Sequence, residues 1–187
     1  AHLGRAMTGG EIGCYLSHLD CARRFLQSDA DVAVVLEDDF EMQPGMVPVL
    51  QQMLAWLEQN PFDWYLINLG AKRLKTRTEI ARFAVEGREH GLYRAHAFPT
   101  LTTGLVWSRP GAEAFLRNHD KIFAAVDNYF RHWLIAEDKG LAIWPAIVQA
   151  GGFASLINKV GAHRKKSQRS RFYFFYKQRN QWRDKLL

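Results

Sequence analysis

The stretch that most constrains this chain is residues 31–40, Asp-Val-Ala-Val-Val-Leu-Glu-Asp-Asp-Phe. Its apolar run, residues 32–36, is too short for a helix, and three of its five residues are valine. Such a run predicts a strand buried on both faces, as in a parallel sheet flanked by helices. Glu37, Asp38 and Asp39 then stand at its carboxyl end, the edge at which open α/β sheets bind ligands. Strand alternation would turn Glu37 and Asp39 to one side and Asp38 to the other.

Three adjacent carboxylates repel one another unless a cation sits among them, and hard divalent cations prefer carboxylate oxygens. Two readings follow. Either the acids hold a metal together with an anionic ligand, most simply a nucleoside diphosphate, or the strand ends in a solvated acidic turn.

The rest of the chain supplies the frame. At 187 residues, one domain with an ample core is expected. No run approaches the roughly 18 apolar residues of a membrane span, and the opening residues do not read as a signal peptide. Thr8-Gly9-Gly10-Glu11 has the form of a capping box. The helix it opens is expected to bury Ile12, Leu16, Leu19, Ala22 and Leu26, leaving Cys14, Ser17, His18 and Cys21 on its other side. A Cys/His zinc site is conceivable on that side, although one helix face with no CxxC pair rarely supplies a closed four-ligand set. Cys14 and Cys21 stand about two turns apart, roughly 10 Å along the axis, too far for an unstrained disulfide. A reducing, cytoplasmic location is therefore expected.

Further along, Pro44-Gly45 precedes an amphipathic helix carrying Met46, Val47, Leu50, Met53, Leu54 and Leu57 and ending near Asn60. Residues 63–70 read as a strand, residues 72–89 as a long loop or weak hairpin, and residues 93–97 as a short strand. A strand then leads through Ser108 into a helix with Pro110 in its first turn. Val126-Asp127-Asn128 opens another helix, and Leu141-Ala142-Ile143-Trp144 is a strand stopped by Pro145.

These motifs line up in one order: residues 8–14 with Ser17-His18, then Val35-Leu36-Glu37-Asp38-Asp39, Thr103-Gly104 with residues 108–112, Val126-Asp127, and Ala142-Ile143-Trp144-Pro145 before Ser155-Leu156-Ile157. In this the chain resembles glycosyltransferase family 25, the bacterial lipooligosaccharide and lipopolysaccharide transferases. The resemblance implies a GT-A type α/β fold with a mostly parallel central sheet flanked by helices, here lacking its N-terminal part. It also implies transfer of a hexose, usually galactose, from a UDP-sugar to a glycan or glycolipid acceptor with inversion, and a divalent ion, Mn2+ or Mg2+. Asp39 would be the direct metal ligand, with Glu37 beside it as a second ligand or a ribose contact. Glu11, Ser17, His18, Glu37 and Asp38 would face the donor. Asp127, the best acid outside the cluster, would serve as general base toward the acceptor hydroxyl; otherwise it is a helix N-cap. His163 would reach the metal shell or a phosphate.

Charge divides the chain further. The net charge is +6, and the excess is concentrated after His163, where Arg164, Lys165, Lys166, Arg169, Arg171, Lys177, Arg179, Arg183 and Lys185 face one acid, Asp184. Residues 1–160 therefore read as the transferase domain and residues 161–187 as a basic, aromatic tail. Read as a helix, the tail would either pack on the domain or contact an anionic membrane peripherally, at the inner face of the cytoplasmic membrane. The competing classes are an inactive or truncated transferase-like domain and a basic module for membrane or nucleic acid. No RNA-binding aromatic motif on a sheet supports nucleic acid.

Overall fold

The computed structural model describes residues 6–118, 122–151 and 178–179. In chain order the elements are α1 (Gly9–Leu26), β1 (Val32–Leu36), β2 (Phe40–Met42), α2 (Met46–Gln59), β3 (Leu66–Asn68), β4 (Arg77–Val85), β5 (Arg88–Ala95), β6 (Gly104–Ser108), α3 (Arg109–Arg117), α4 (Val126–Glu137), β7 (Gly140–Trp144) and β8 (Val148–Ala150). Six strands form one sheet in the order β1-β6-β3-β7-β5-β4, while β2 and β8 form a separate pair. The tail, His163 and Ser155-Leu156-Ile157 fall outside the described residues, apart from Gln178 and Arg179.

The expected parallel sheet is corrected. Only β3 and β7 run parallel; every other pair in the six-stranded sheet is antiparallel. What a continuous apolar run reports is burial on two faces, and helices cover both faces of this sheet whichever way its strands run. Leu66, Leu105, Trp107 and Ala142 point into a cluster with α1, α3 and α4. Their neighbours Ile67, Val106, Leu141 and Ile143 point the other way, into a cluster with Met46, Val49, Met53 and Leu57 of α2. This is the two-residue period of a strand, with both phases apolar. β1 departs further from expectation. Among the described residues it lies at the sheet edge, paired with β6 alone, and Val34 is 40% exposed.

The capping box forms as read: Glu11 N donates to Thr8 Oγ1 at 3.3 Å and Thr8 N donates to Glu11 Oε2 at 2.9 Å. The buried face of α1, however, is turned from the one expected. Tyr15, His18, Leu19, Ala22 and Phe25 are buried, whereas Ile12 and Leu16 are exposed. Both sets have helical spacing, and the aromatic volume of α3 and α4 decides between them. Tyr15 packs against Phe115 at 5.7 Å and Tyr129 at 5.6 Å, and His18 stands edge-on to Phe130 at 5.5 Å. Only an aromatic-bearing face of α1 offers these partners. Arg109 then fastens the end of α1, its guanidinium donating to the Leu26, Ser28 and Ala30 carbonyls.

Of the two readings of residues 72–89, long loop or hairpin, the hairpin is the one found. Val85 pairs with Arg88, leaving Glu86 and Gly87, both at positive φ, as a two-residue hairpin turn. A register shift between Glu79 and Ala81 interrupts the alternation that would have marked β4 in the sequence.

α3 starts where Ser108 Oγ accepts from Gly111 N at 3.1 Å, and it crosses β3 so closely that a methyl group at Gly111 would run into the Tyr65 backbone. Gly13 of α1 has open space where its Cβ would be. Gly111→Ala is therefore expected to lower stability by about 2 kcal/mol, since backbone cannot yield as a side chain can. Gly13→Ala should raise it by about 0.5–1 kcal/mol through helix propensity. Urea midpoints of the two variants against wild type read both signs.

Candidate functional site

The acids do not continue strand alternation. Glu37 lies just past β1, and Asp38-Asp39 form a turn that Phe40 N closes on Glu37 O at 3.2 Å. All three nevertheless border one cavity of about 440 Å³, whose opposite wall is α1, with Cys14, Ser17, His18 and Cys21. Val35 and Leu36 complete the lining. The turn thus collects carboxylates that a straight strand would have divided between two faces.

Glu37 is the fixed point. Its N–H donates to Thr103 O at 3.0 Å, and the Thr102 hydroxyl donates to its Oε1. The segment carrying these threonines is itself strapped down by buried Asn68, whose Nδ2 donates to Leu101 O and whose Oδ1 accepts from Gly70 N at 3.0 Å. Burial raises the Glu37 carboxyl above the ordinary carboxylate range; the Thr102 hydrogen bond opposes this, and Asp39, Asp38 and Asp127 add to it. A bound cation would relieve that repulsion.

Each expected site residue can now be placed. Ser17, His18, Glu37, Asp38 and Asp39 share the cavity. Glu11 is not among its lining residues, and its carboxylate takes both the N–H and the hydroxyl of Thr8. Asp127 is not the N-cap of α4, a position held by Ala125, but lies in its first turn. Its Oδ1 accepts from Asn128 N at 2.7 Å and Asn128 Nδ2 at 2.8 Å. It does not line the cavity, yet its charge acts on both Glu37 and Cys14. Thr102 and Asn68 were missed. Asn68 left a signal, an amide inside the apolar run Leu66-Ile67-Asn68-Leu69.

For a hard divalent ion, Glu37, Asp38 and Asp39 offer the right donor type. Such ions commonly bind through one or two carboxylates together with waters and substrate phosphates, so a closed protein cage is not required. The cavity residues fit that mode. A tighter convergence is also present: one ligand atom each from Cys14, His18 and Glu37 lies within 4.8 Å of the others. Burial pushes the Cys14 thiol up to about 11, aided by Glu37 and Asp127, and both cysteines are free.

The sequence comparisons bear directly on this cavity. The profile of Glycosyltransferase family 25 (LPS biosynthesis protein) matches residues 1–130, which include both of its walls. The chain belongs to glycosyltransferase family 25. Among its relatives, procollagen galactosyltransferase 1 of Danio rerio is 30% identical over 119 residues, 61% of this chain and 18% of that protein. Procollagen galactosyltransferase 1-B of Xenopus laevis is 40% identical over 72 residues, 38% of this chain and 12% of that one. A probable inactive glycosyltransferase 25 family member 3 of Bos taurus is 32% identical over 113 residues, 60% of this chain and 18% of that one. The chain thus spans less than a fifth of the length of these relatives.

His18 gives this site a measurable signature. Burial lowers its imidazole from 6.5 to about 4, so the folded protein holds it neutral. As pH falls below 6.5 the unfolded chain takes up a proton that the folded chain refuses. Stability should therefore drop between about pH 6.5 and pH 4, by on the order of 3 kcal/mol, and this contribution should stop changing below that window. Urea unfolding in chelator at pH 7, 5.5 and 4.5 should show a steeper acid loss for wild type than for His18→Gln.

Proposed function

We propose that this chain transfers a hexose, galactose as in the relatives' names, from a UDP-sugar to an acceptor hydroxyl on a glycan or glycosylated partner. The observation that carries the reading is the shared cavity: the family's matched segment brings Glu37, Asp38 and Asp39 opposite Ser17 and His18 of α1. A GT-A type arrangement and inversion at the sugar carbon belong to the same proposal.

Ser17, His18 and Asp38 line the space in which the donor would lie, with Asp39 and Glu37 as holders of Mn2+ or Mg2+. A bound divalent ion would supply neutralisation of the charge that develops on the leaving nucleoside diphosphate. Thr102 and Thr103 hold Glu37 by side chain and backbone, which keeps its carboxylate at the cavity. His18 is held neutral, so it presents no cation and can accept or donate one hydrogen bond. Asp127, with one oxygen engaged by Asn128, would take the proton of the acceptor hydroxyl as the new glycosidic bond forms. The tail's proposed role, holding the enzyme at an anionic membrane surface, rests on its composition.

A second reading is an inactive family member, favoured by the similarity to the bovine protein named probably inactive. UDP release with Mn2+ across a panel of UDP-sugars separates the two: release with one sugar supports transfer, and donor binding without release supports inactivity. Two variants test the assignments. Asp39→Ala should lose metal-dependent UDP binding by calorimetry while its circular dichroism stays native. Asp127→Asn should lower turnover by roughly 10²–10⁴ with donor affinity unchanged; near wild-type turnover would place the base elsewhere.

A further inference from the structure

Cys14 and His18 are four residues apart on α1, so their side chains stack on one face of the helix. Two ligands at this spacing, completed by a third from another element, form a recurring scaffold for zinc. Here the third is Glu37, arriving from beyond β1, and one ligand atom of each residue lies within 4.8 Å of the other two. The ligand atoms of a four-coordinate zinc stand about 3.5 Å apart, so closure needs side-chain shifts on the order of 1 Å.

A second observation is independent of this spacing. His18 Nδ1 is buried and has no hydrogen-bond partner among the described residues. An imidazole nitrogen in that state is costly unless something else supplies the missing interaction. The surroundings also resemble those of a metal ligand set. The Thr102 hydroxyl donates to Glu37 and also lies against the Cys14 thiol, the type of outer contact that orients ligating carboxylates. One side of the trio faces the cavity, leaving room for a water or a ligand oxygen at a fourth position.

We propose that Cys14, His18 and Glu37 form a binding site for a borderline divalent metal of the Zn2+ or Co2+ class. Thiolate and imidazole select such ions over Mn2+ and Mg2+. On binding, the Cys14 S–H bond breaks, a metal–sulfur bond forms and the proton passes to solvent; nothing is oxidised or reduced. The site shares Glu37 with the hard-ion site proposed above, so the two ions compete for one carboxylate. Zinc then acts as an inhibitor of metal-dependent donor binding, a consequence that rests on the transferase reading, whereas the metal site itself does not.

Cobalt titration of the full chain reads the site directly. One equivalent of Co2+ should produce a thiolate-to-cobalt charge-transfer band, which Zn2+ removes and equimolar Mn2+ does not. Cys14→Ser should abolish the band, Cys21→Ser should retain it, and His18→Gln should weaken Co2+ binding at least tenfold. In wild type, Zn2+ should also protect Cys14 from alkylation, as read by mass spectrometry, which needs no variant to fold. Absence of the band, its survival in Cys14→Ser, or equal alkylation of Cys14 with and without Zn2+ would overturn the site. A cobalt band in a chain that shows no UDP release would leave the site standing and remove the transferase reading; UDP release with no band would do the reverse.

Discussion

The site depends on one clamp, in which the loop before β6 grips the end of β1. Glu37 N bonds to Thr103 O, and the Thr102 hydroxyl bonds to the Glu37 carboxylate. Without it, the acidic turn would keep its far tether, where Gly151 N donates to Asp39 O at 2.6 Å and β2 pairs with β8, but Glu37 would lose its fixed relation to α1. Buried Asn68 carries the clamp back into β3, in the interior of the sheet. The carboxylates are thus referenced to the most buried strands, although they sit on an exposed turn. The bonds involved are modest individually, about 1 kcal/mol each for neutral pairs and more where a carboxylate accepts. Their value lies in geometry, because a ligand-binding group must be held in place before its ligand arrives.

The cavity's other wall is fixed by different physics. α1 is seated by aromatic packing, with Tyr15, His18 and Phe25 buried on the α3–α4 side of the sheet, and by Arg109 drawing its last carbonyls toward the start of α3. Cys14 and Cys21 flank that buried face, and this brings them to the cavity. Had Ile12 and Leu16 been the buried residues, α1 would be rolled about its axis and its ligand-bearing side would face elsewhere. Packing and chemistry are therefore the same decision on this helix.

Much of this was legible in the sequence, and the gaps have physical causes. Helix starts were readable because caps are local: Thr8 with Glu11, Ser108 with Pro110, and the Pro44-Gly45 break. The acids at the end of β1 were readable as a cluster because charge repulsion is visible in one dimension. Strand direction was not, since apolar runs encode burial and carry no mark of which way a neighbour runs. The β4–β5 hairpin was obscured by its register shift. The roll of α1 was set by aromatic rings more than 90 residues away. Thr102 was invisible for a similar reason, since its partner Glu37 stands 65 positions earlier and Cys14 earlier still.

The edge position of β1 has a consequence for how this molecule comes apart. Among the described residues β1 is joined to the sheet by a single ladder of five residue pairs, while the strands further in are gripped on both sides. Protein structures open in units, and a unit held on one flank opens at lower free energy than one held on two. Release of β1 would free the Glu37 end of the acidic turn, leaving its far end tied to Gly151 and β8, while the aromatic cluster and the inner strands stayed assembled. The durability of the site is then a local quantity, separate from the durability of the fold. Amides of β1 would exchange with solvent by a motion that the interior never shares, and heat would silence the cavity before it melted the protein.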